Sequence, residues 1–182
     1  QHGAFAEYIA VPRRILYRLP DRLGFEQASL VEPLSVAFHA VKQITVAPSD
    51  TAVVVGAGII GLFVIQTLRA TGCGTIIAVD IDTMRLELAG KLGANRRLNP
   101  GSDDIVRSVR QMTGNRGADC SFEAVGSTPA VQTAVSVLRK GGSAALIGNL
   151  SPSVDLPLQT VVTREIALYG SCASCGEYPA CL

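Results

Sequence analysis

Between Thr51 and Asp80 the chain reads as strand, glycine-rich turn, helix and second strand, closing on an acid. Ala52-Val53-Val54-Val55 is a β-branched apolar run, and Gly56-Ala57-Gly58-Ile59-Ile60-Gly61 follows it directly and opens an apolar helical pattern through Leu62, Ile65 and Leu68. Each glycine has a separate task in such a unit. Gly56 permits the tight turn, Gly58 lets the backbone approach a pyrophosphate, and Gly61 lets the helix sit close on the sheet. The free N–H groups at the helix N-terminus, around Ile59 and Ile60, would hold the phosphates. Thr75-Ile76-Ile77-Ala78-Val79 supplies the second strand, and Asp80 stands 19 residues after Gly61, near the spacing of a carboxylate that bonds a ribose 2′-hydroxyl. A glycine triplet alone would be a weak signal. The strand before it, the helix after it and the acid beyond make a dinucleotide site the expected reading, against a buried strand-turn-helix of an unrelated α/β protein.

The rest of the chain extends the alternation. Short strands are expected over Phe5 to Val11 and Ile15 to Leu19, and helices over Phe25 to Leu30 and Leu34 to Gln43, separated at Pro33. Beyond Asp80 the pattern predicts a helix from Thr83 to Leu92 closed by Gly93, a short strand region at Leu98, and a helix from Asp103 to Met112 capped by Ser102 or Asp103. Strands at Asp119 to Ala124 and Ala144 to Gly148 flank a helix from Pro129 to Leu138. Val161 to Gly170 reads as a last strand, and a helix begins at Glu177 and runs to Leu182. The expected fold is therefore a doubly wound parallel α/β sheet of Rossmann type with helices on both faces, preceded by a short β segment foreign to it.

Composition narrows the function classes. Of 182 residues, 48% are hydrophobic and the net charge is +1, so nothing favours nucleic acid or an anionic membrane as partner. The longest apolar stretch, Ala52 to Ile65, is broken by glycines and is shorter than the roughly 18 residues of a membrane helix. Gln1-His2-Gly3 shows no basic region followed by an apolar core, so no secretory signal is expected in these residues. Five cysteines, an odd number, fit reduced thiols and a cytoplasmic location better than a disulfide framework. Cys172, Cys175 and Cys181 have the one metal-like spacing, but no second ligand pair accompanies them, and small turn or buried thiols are the expected reading.

Taken in order, these landmarks resemble the medium-chain zinc-dependent alcohol and polyol dehydrogenases, specifically their sorbitol-dehydrogenase-like branch. Gly3 to Tyr8 looks like the strand entering that family's cofactor half, and Glu32-Pro33-Leu34-Ser35-Val36-Ala37-Phe38-His39-Ala40 looks like its helix beside the metal. Gly56 to Gly61, Val79-Asp80, Leu92-Gly93-Ala94, Asp119 to Gly126 and Gly141 to Gly148 match the landmarks that follow. The resemblance implies a remnant of the catalytic domain and linker over residues 1–30 and an NAD-binding Rossmann domain over 31–182, truncated at its C-terminal end. The zinc ligands, mainly a cysteine and a histidine, would belong to a domain preceding residue 1, so the chain would correspond to roughly half of a family member.

Individual residues follow from the same likeness. Asp80 would accept hydrogen bonds from the adenosine ribose and repel a 2′-phosphate, favouring NAD over NADP. Arg85 would flank the adenosine or simply be a solvated helix arginine. Val125 would lie near the adenine side, and Ile147-Gly148-Asn149 near the nicotinamide ribose. Glu32 matches a glutamate at the catalytic metal, though alone it reads as an ordinary helix-start carboxylate. His39 reads as packing and receives no role. Ala173 stands where polyol dehydrogenases often place an arginine, which weighs against sorbitol itself as substrate. Thr163 to Gly170 resembles a strand that pairs two subunits into a homodimer. The intact enzyme would pass a hydride between a secondary alcohol or polyol and NAD with zinc as Lewis acid, while this chain alone is expected to be inactive and to hold no zinc. A free-standing, non-catalytic NAD-binding module or redox sensor is the alternative.

Overall fold

A computed structural model describes residues 3–182; Gln1 and His2, on which the secretory-signal reading partly rests, lie outside the described residues. Six strands form one parallel sheet: β1 (Thr51–Val55), β2 (Thr75–Val79), β3 (Arg96–Leu98), β4 (Ala118–Glu123), β5 (Leu138–Leu146) and β6 (Ala167–Gly170). Their spatial order is β3-β2-β1-β4-β5-β6, so the chain reverses direction across the sheet between β1 and β4. The Rossmann architecture expected from the sequence is the one observed. In such sheets a crevice opens at the carboxyl ends of the strands where the order reverses, and ligands bind there.

The two faces follow from strand periodicity. Ala52, Val54, Ile76, Ala78, Cys120 and Phe122 point to one side and pack under helices α2 (Val31–Lys42), α3 (Ile59–Ala70) and α4 (Thr83–Leu92) through Ala37, Val41, Val64, Ile65, Leu68, Leu86 and Ala89. Val53, Val55, Ile77 and Val79 point to the other, under α5 (Ile105–Met112) and α6 (Thr128–Ser136). Strands covered on both faces read as continuous apolar runs, which is why β1 and β2 were legible. Phe122, fully buried, contributes about 2–3 kcal/mol through burial alone.

At the opposite end of the sheet from the crevice, Asp119 ties three elements together. It accepts from Thr51 N at 2.9 Å, from Arg116 at 2.6 Å and from Arg139 at 2.7 Å. Burial pushes its carboxyl up, but hydrogen bonds from Arg116, Thr51 N–H and Arg139 outweigh it and hold the pKa at about 2.

Several expectations are corrected. Phe5 to Val11 and Ile15 to Leu19 form no strands; the segment is irregular, with a single 3₁₀ turn over Arg13–Ile15. No residue from 3 to 30 is buried, and Phe5, Tyr8 and Phe25 are almost wholly exposed. A strand needs a neighbour to satisfy its N–H and C=O groups, and none of the described residues offers one there. The helical pattern between Phe25 and Leu30 condenses to α1 (Phe25–Ala28). Pro33 does not separate two helices but sits in the first turn of α2, where its missing N–H is not needed.

Asp104, rather than Ser102 or Asp103, caps α5, accepting from Arg107 N at 3.0 Å, while Asp103 closes the preceding turn onto Asn99 N at 2.7 Å. β5 starts at Leu138, well before Ala144. The expected strand from Val161 to Gly170 is a strand only over β6: its first part is a helix, α7 (Leu158–Thr163). There the β-branched residues serve the helix instead. Val161 packs on Val135, Leu138, Ala144 and Ile166, and the Thr163 hydroxyl bonds back to Gln159 O at 2.7 Å. The last helix, α8, covers Tyr178–Cys181.

Candidate functional site

The glycine-rich turn leaves β1 in a shape that admits no side chain at two of its three glycines. Gly56 has φ +94°, and a Cβ there would lie 2.6 Å from Val125 Cγ2. At Gly61 a Cβ would fall 1.8 Å from Gly56 O and 3.5 Å from Val54 Cγ1, so the first turn of α3 rests directly on the turn before it. Gly58 differs. Its backbone is extended and a Cβ there would meet nothing within 4 Å, so the backbone borders open space. Leu62 N is the first donor of α3 to find a helical acceptor, Gly58 O at 2.8 Å. The N–H groups of Ile59, Ile60 and Gly61 therefore have no acceptor within the helix and lie at its positive end.

Asp80 follows β2 and is only 8% exposed. Its carboxylate accepts from Ala57 N at 2.6 Å and from Asp82 N at 2.9 Å. The acid at the end of β2 thus fastens the glycine turn to its neighbouring strand, a task that the sequence did not disclose. Asp82 caps α4, accepting from Met84 N at 2.8 Å, and stands 3.8 Å from the largely exposed Arg85 guanidinium.

Asp80, Arg85, Gly56, Val125 and Pro129 line one cavity of about 280 Å³ over the ends of β2, β1 and β4. A second cavity, of about 520 Å³, lies over the ends of β5 and β6. It brings Ile147, Gly148 and Asn149 together with Glu32 of α2 and with Ser171, Cys172 and Ala173. Sequence positions more than a hundred apart therefore meet in one wall.

Between the cavities stands Glu123, the last residue of β4, fully buried and absent from the expected site residues. Its Oε1 accepts from Val125 N at 2.8 Å and Gly126 N at 2.7 Å, and its backbone oxygen accepts from Ile147 N at 2.8 Å and Gly148 N at 3.0 Å. Gly126 and Gly148 press together so closely that a Cβ on Gly148 would lie 2.0 Å from Gly126 N. An acid closing a buried strand, directly after Phe122, was the available sequence signal for this residue.

Zinc finds little here. Glu32 is exposed at the start of α2, and among the described residues no group of three His, Cys, Asp or Glu side chains could hold a metal ion. The five cysteines are free thiols, with Cys172 and Cys175 exposed. His39, expected as packing, instead bonds through Nδ1 to the buried Glu177 at 3.0 Å.

An all-parallel sheet in this order, with a glycine turn and an acid at its switch point, defines a Rossmann-type dinucleotide-binding domain. Residues 60–182 match the zinc-binding dehydrogenase family, and the chain belongs to it, spanning its cofactor-binding half. The sorbitol dehydrogenase of Bacillus subtilis (strain 168) is 35% identical over 179 residues, which are 97% of this chain and 50% of that protein. An Escherichia coli oxidoreductase/dehydrogenase of unknown specificity superposes with a TM-score of 0.93 at 30% identity, covering 98% of this chain and 51% of that one. A zinc-binding dehydrogenase from Sinorhizobium meliloti 1021, bound to NADP, superposes with a TM-score of 0.90 at 25% identity over 98% of this chain and 54% of that one. The chain spans about half the length of the curated relatives it matches. Among the described residues no helix is long and apolar enough to cross a membrane.

Proposed function

We propose that this chain binds NAD across the two cavities and serves as the cofactor half of a cytoplasmic zinc-dependent dehydrogenase acting on a secondary alcohol or polyol. The observation that carries the reading is the pairing of Gly58, open to the crevice, with Asp80, a buried carboxylate at its rim. The pyrophosphate would meet the Ile59, Ile60 and Gly61 N–H groups over Gly58. The adenosine would occupy the cavity between Arg85 and Val125, with its ribose hydroxyls on the Asp80 carboxylate. The nicotinamide would enter the cavity lined by Ile147, Gly148 and Asn149.

The Asp80 charge sets the cofactor preference. Its two existing donors leave lone pairs for ribose hydroxyls, whereas a 2′-phosphate would bring a second negative charge against it. That one family neighbour was solved with NADP makes the choice a property to be measured in this chain.

A Lewis-acid metal would polarise the substrate oxygen in such enzymes. The described residues supply Glu32 to that side of the cavity but no complete ligand set, and no step is routed through the metal. This chain's part is to orient the nicotinamide and to exclude water around it. The second reading is a non-catalytic NAD-binding module, which would use the same cofactor site. The exposed strand β6 at the sheet edge would serve as a homodimer contact in either case. Calorimetric titration with NAD and NADP tests the core of the proposal: tighter binding of NAD is expected, and equal or tighter binding of NADP would reject it.

A further inference from the structure

Glu177 is the chain's least expected charge: it lies just before the short helix α8, yet it is only 4% exposed. Its carboxylate accepts from His39 Nδ1 at 3.0 Å and stands 3.7 Å from Lys42 Nζ, both on α2. It also accepts from Cys175 N. The His39 hydrogen bond, opposed by burial and aided by the Cys175 N–H, holds its carboxyl below the usual carboxylate range. A buried carboxylate persists only where such donors converge on it.

What these bonds restrain is the loop from Ser171 to Gly176. The loop enters from β6 with Ser171 N on Leu146 O at 2.9 Å and leaves at Glu177. Between these ends Ala173 takes φ +54° and Gly176 φ +87°. A non-glycine residue in the left-handed region is held there by its surroundings rather than by its own preference. Ser171, Cys172 and Ala173 form one wall of the larger cavity; Glu32 and Val36, on the same helix as His39 and Lys42, form another. Tyr178, the next residue, stacks on Tyr17 with ring centroids 5.3 Å apart, a further contact just beyond the loop.

We propose that Glu177 is a positioning residue that sets the width of the nicotinamide-side cavity by fastening the Ser171–Gly176 wall to α2. The proposal rests on the reading of this cavity as the nicotinamide end of the cofactor site. It adds that a charge outside the cavity governs how well that end is gripped, leaving the adenosine end untouched.

The test separates the two ends of the cofactor. NADH and ADP-ribose, which lacks the nicotinamide, are titrated against the wild-type chain, Glu177→Ala and Glu177→Gln. Loss of a hydrogen-bonded buried charge should weaken NADH binding to Glu177→Ala by about tenfold while ADP-ribose binding stays unchanged. Glu177→Gln, whose amide oxygen accepts from Cys175 N–H and whose amide N–H donates to Nδ1 of His39 in its neutral Nε2–H tautomer, should restore NADH affinity to within about threefold of wild type. Unchanged NADH binding in Glu177→Ala, equal weakening of both ligands, or no rescue by Gln would overturn the proposal. Should Glu177→Ala not fold, His39→Ala decides: selective weakening of NADH supports the clamp, and no change rejects it. If the wild-type chain binds neither ligand, the cofactor reading itself fails, an outcome distinct from all of these.

Discussion

Replacing Asp80 with Ser should separate two roles that the structure gives to one side chain. The carboxylate accepts from Ala57 N at 2.6 Å, and Ala57 is fully buried, so no water replaces the lost acceptor. Leaving that N–H unsatisfied costs about 2 kcal/mol, since an orphaned buried donor carries its full desolvation penalty. The bond from Asp82 N is part-buried and is more readily replaced by solvent. For a domain of this size about 2 kcal/mol lowers Tm by roughly 4–8 °C. In the cofactor complex the variant also loses the ribose contacts, a further loss on the order of 1–3 kcal/mol in NAD affinity, while NADP is relieved of charge repulsion. Thermal melts without cofactor read the first effect, and titrations well below both transitions read the second. A melt within about 1 °C of wild type would refute the anchoring argument. An NAD-to-NADP preference that does not narrow would refute the charge argument.

Three further outcomes are expected. Gly58→Val should abolish NAD binding while the melt shifts by less than about 0.5 kcal/mol, because the added side chain meets only open space in the free protein; retained tight binding would put the phosphate elsewhere. Asp119, held at about pH 2 in the fold against an ordinary 3.8, contributes stability that is present above pH 4 and lost as pH falls toward 2. After allowance for the half-exposed Arg116 that contribution is about 1–2 kcal/mol, and Asp119→Asn should flatten acid melts between those pH values; an unchanged acid slope would reject it. Metal analysis of the chelator-washed chain should find well under one zinc per chain, and an NAD-reduction assay over secondary alcohols and polyols no turnover; stoichiometric zinc or turnover would reject that reading.

Legibility in the sequence tracked how local the cause was. β2 and α4 appear at the boundaries expected for them because apolar runs, caps and glycine stops lie within the elements themselves. The strands expected before Pro20 failed because a strand is made by its neighbour, and β-branched Val161 and Val162 misled because the helix α7 uses them equally well. The site divides in the same way. Gly56, Gly58, Gly61 and Asp80 announce themselves by spacing. The Asp80 bond to Ala57, the Glu123 bonds to two loops and the His39–Glu177 pair depend on folded proximity, the last across 138 positions of chain.

The interlock of Gly126 with Gly148 makes a single rigid body of two loops that belong to different strands. Because each occupies the space where the other's side chain would be, and both hang on Glu123, neither can change length or sequence at that contact independently. Exchanging one loop for that of a relative should therefore fail where exchanging the pair with its glutamate succeeds. The heritable unit at this crevice is a matched set of three segments, and any redesign of its cofactor end has to move them together.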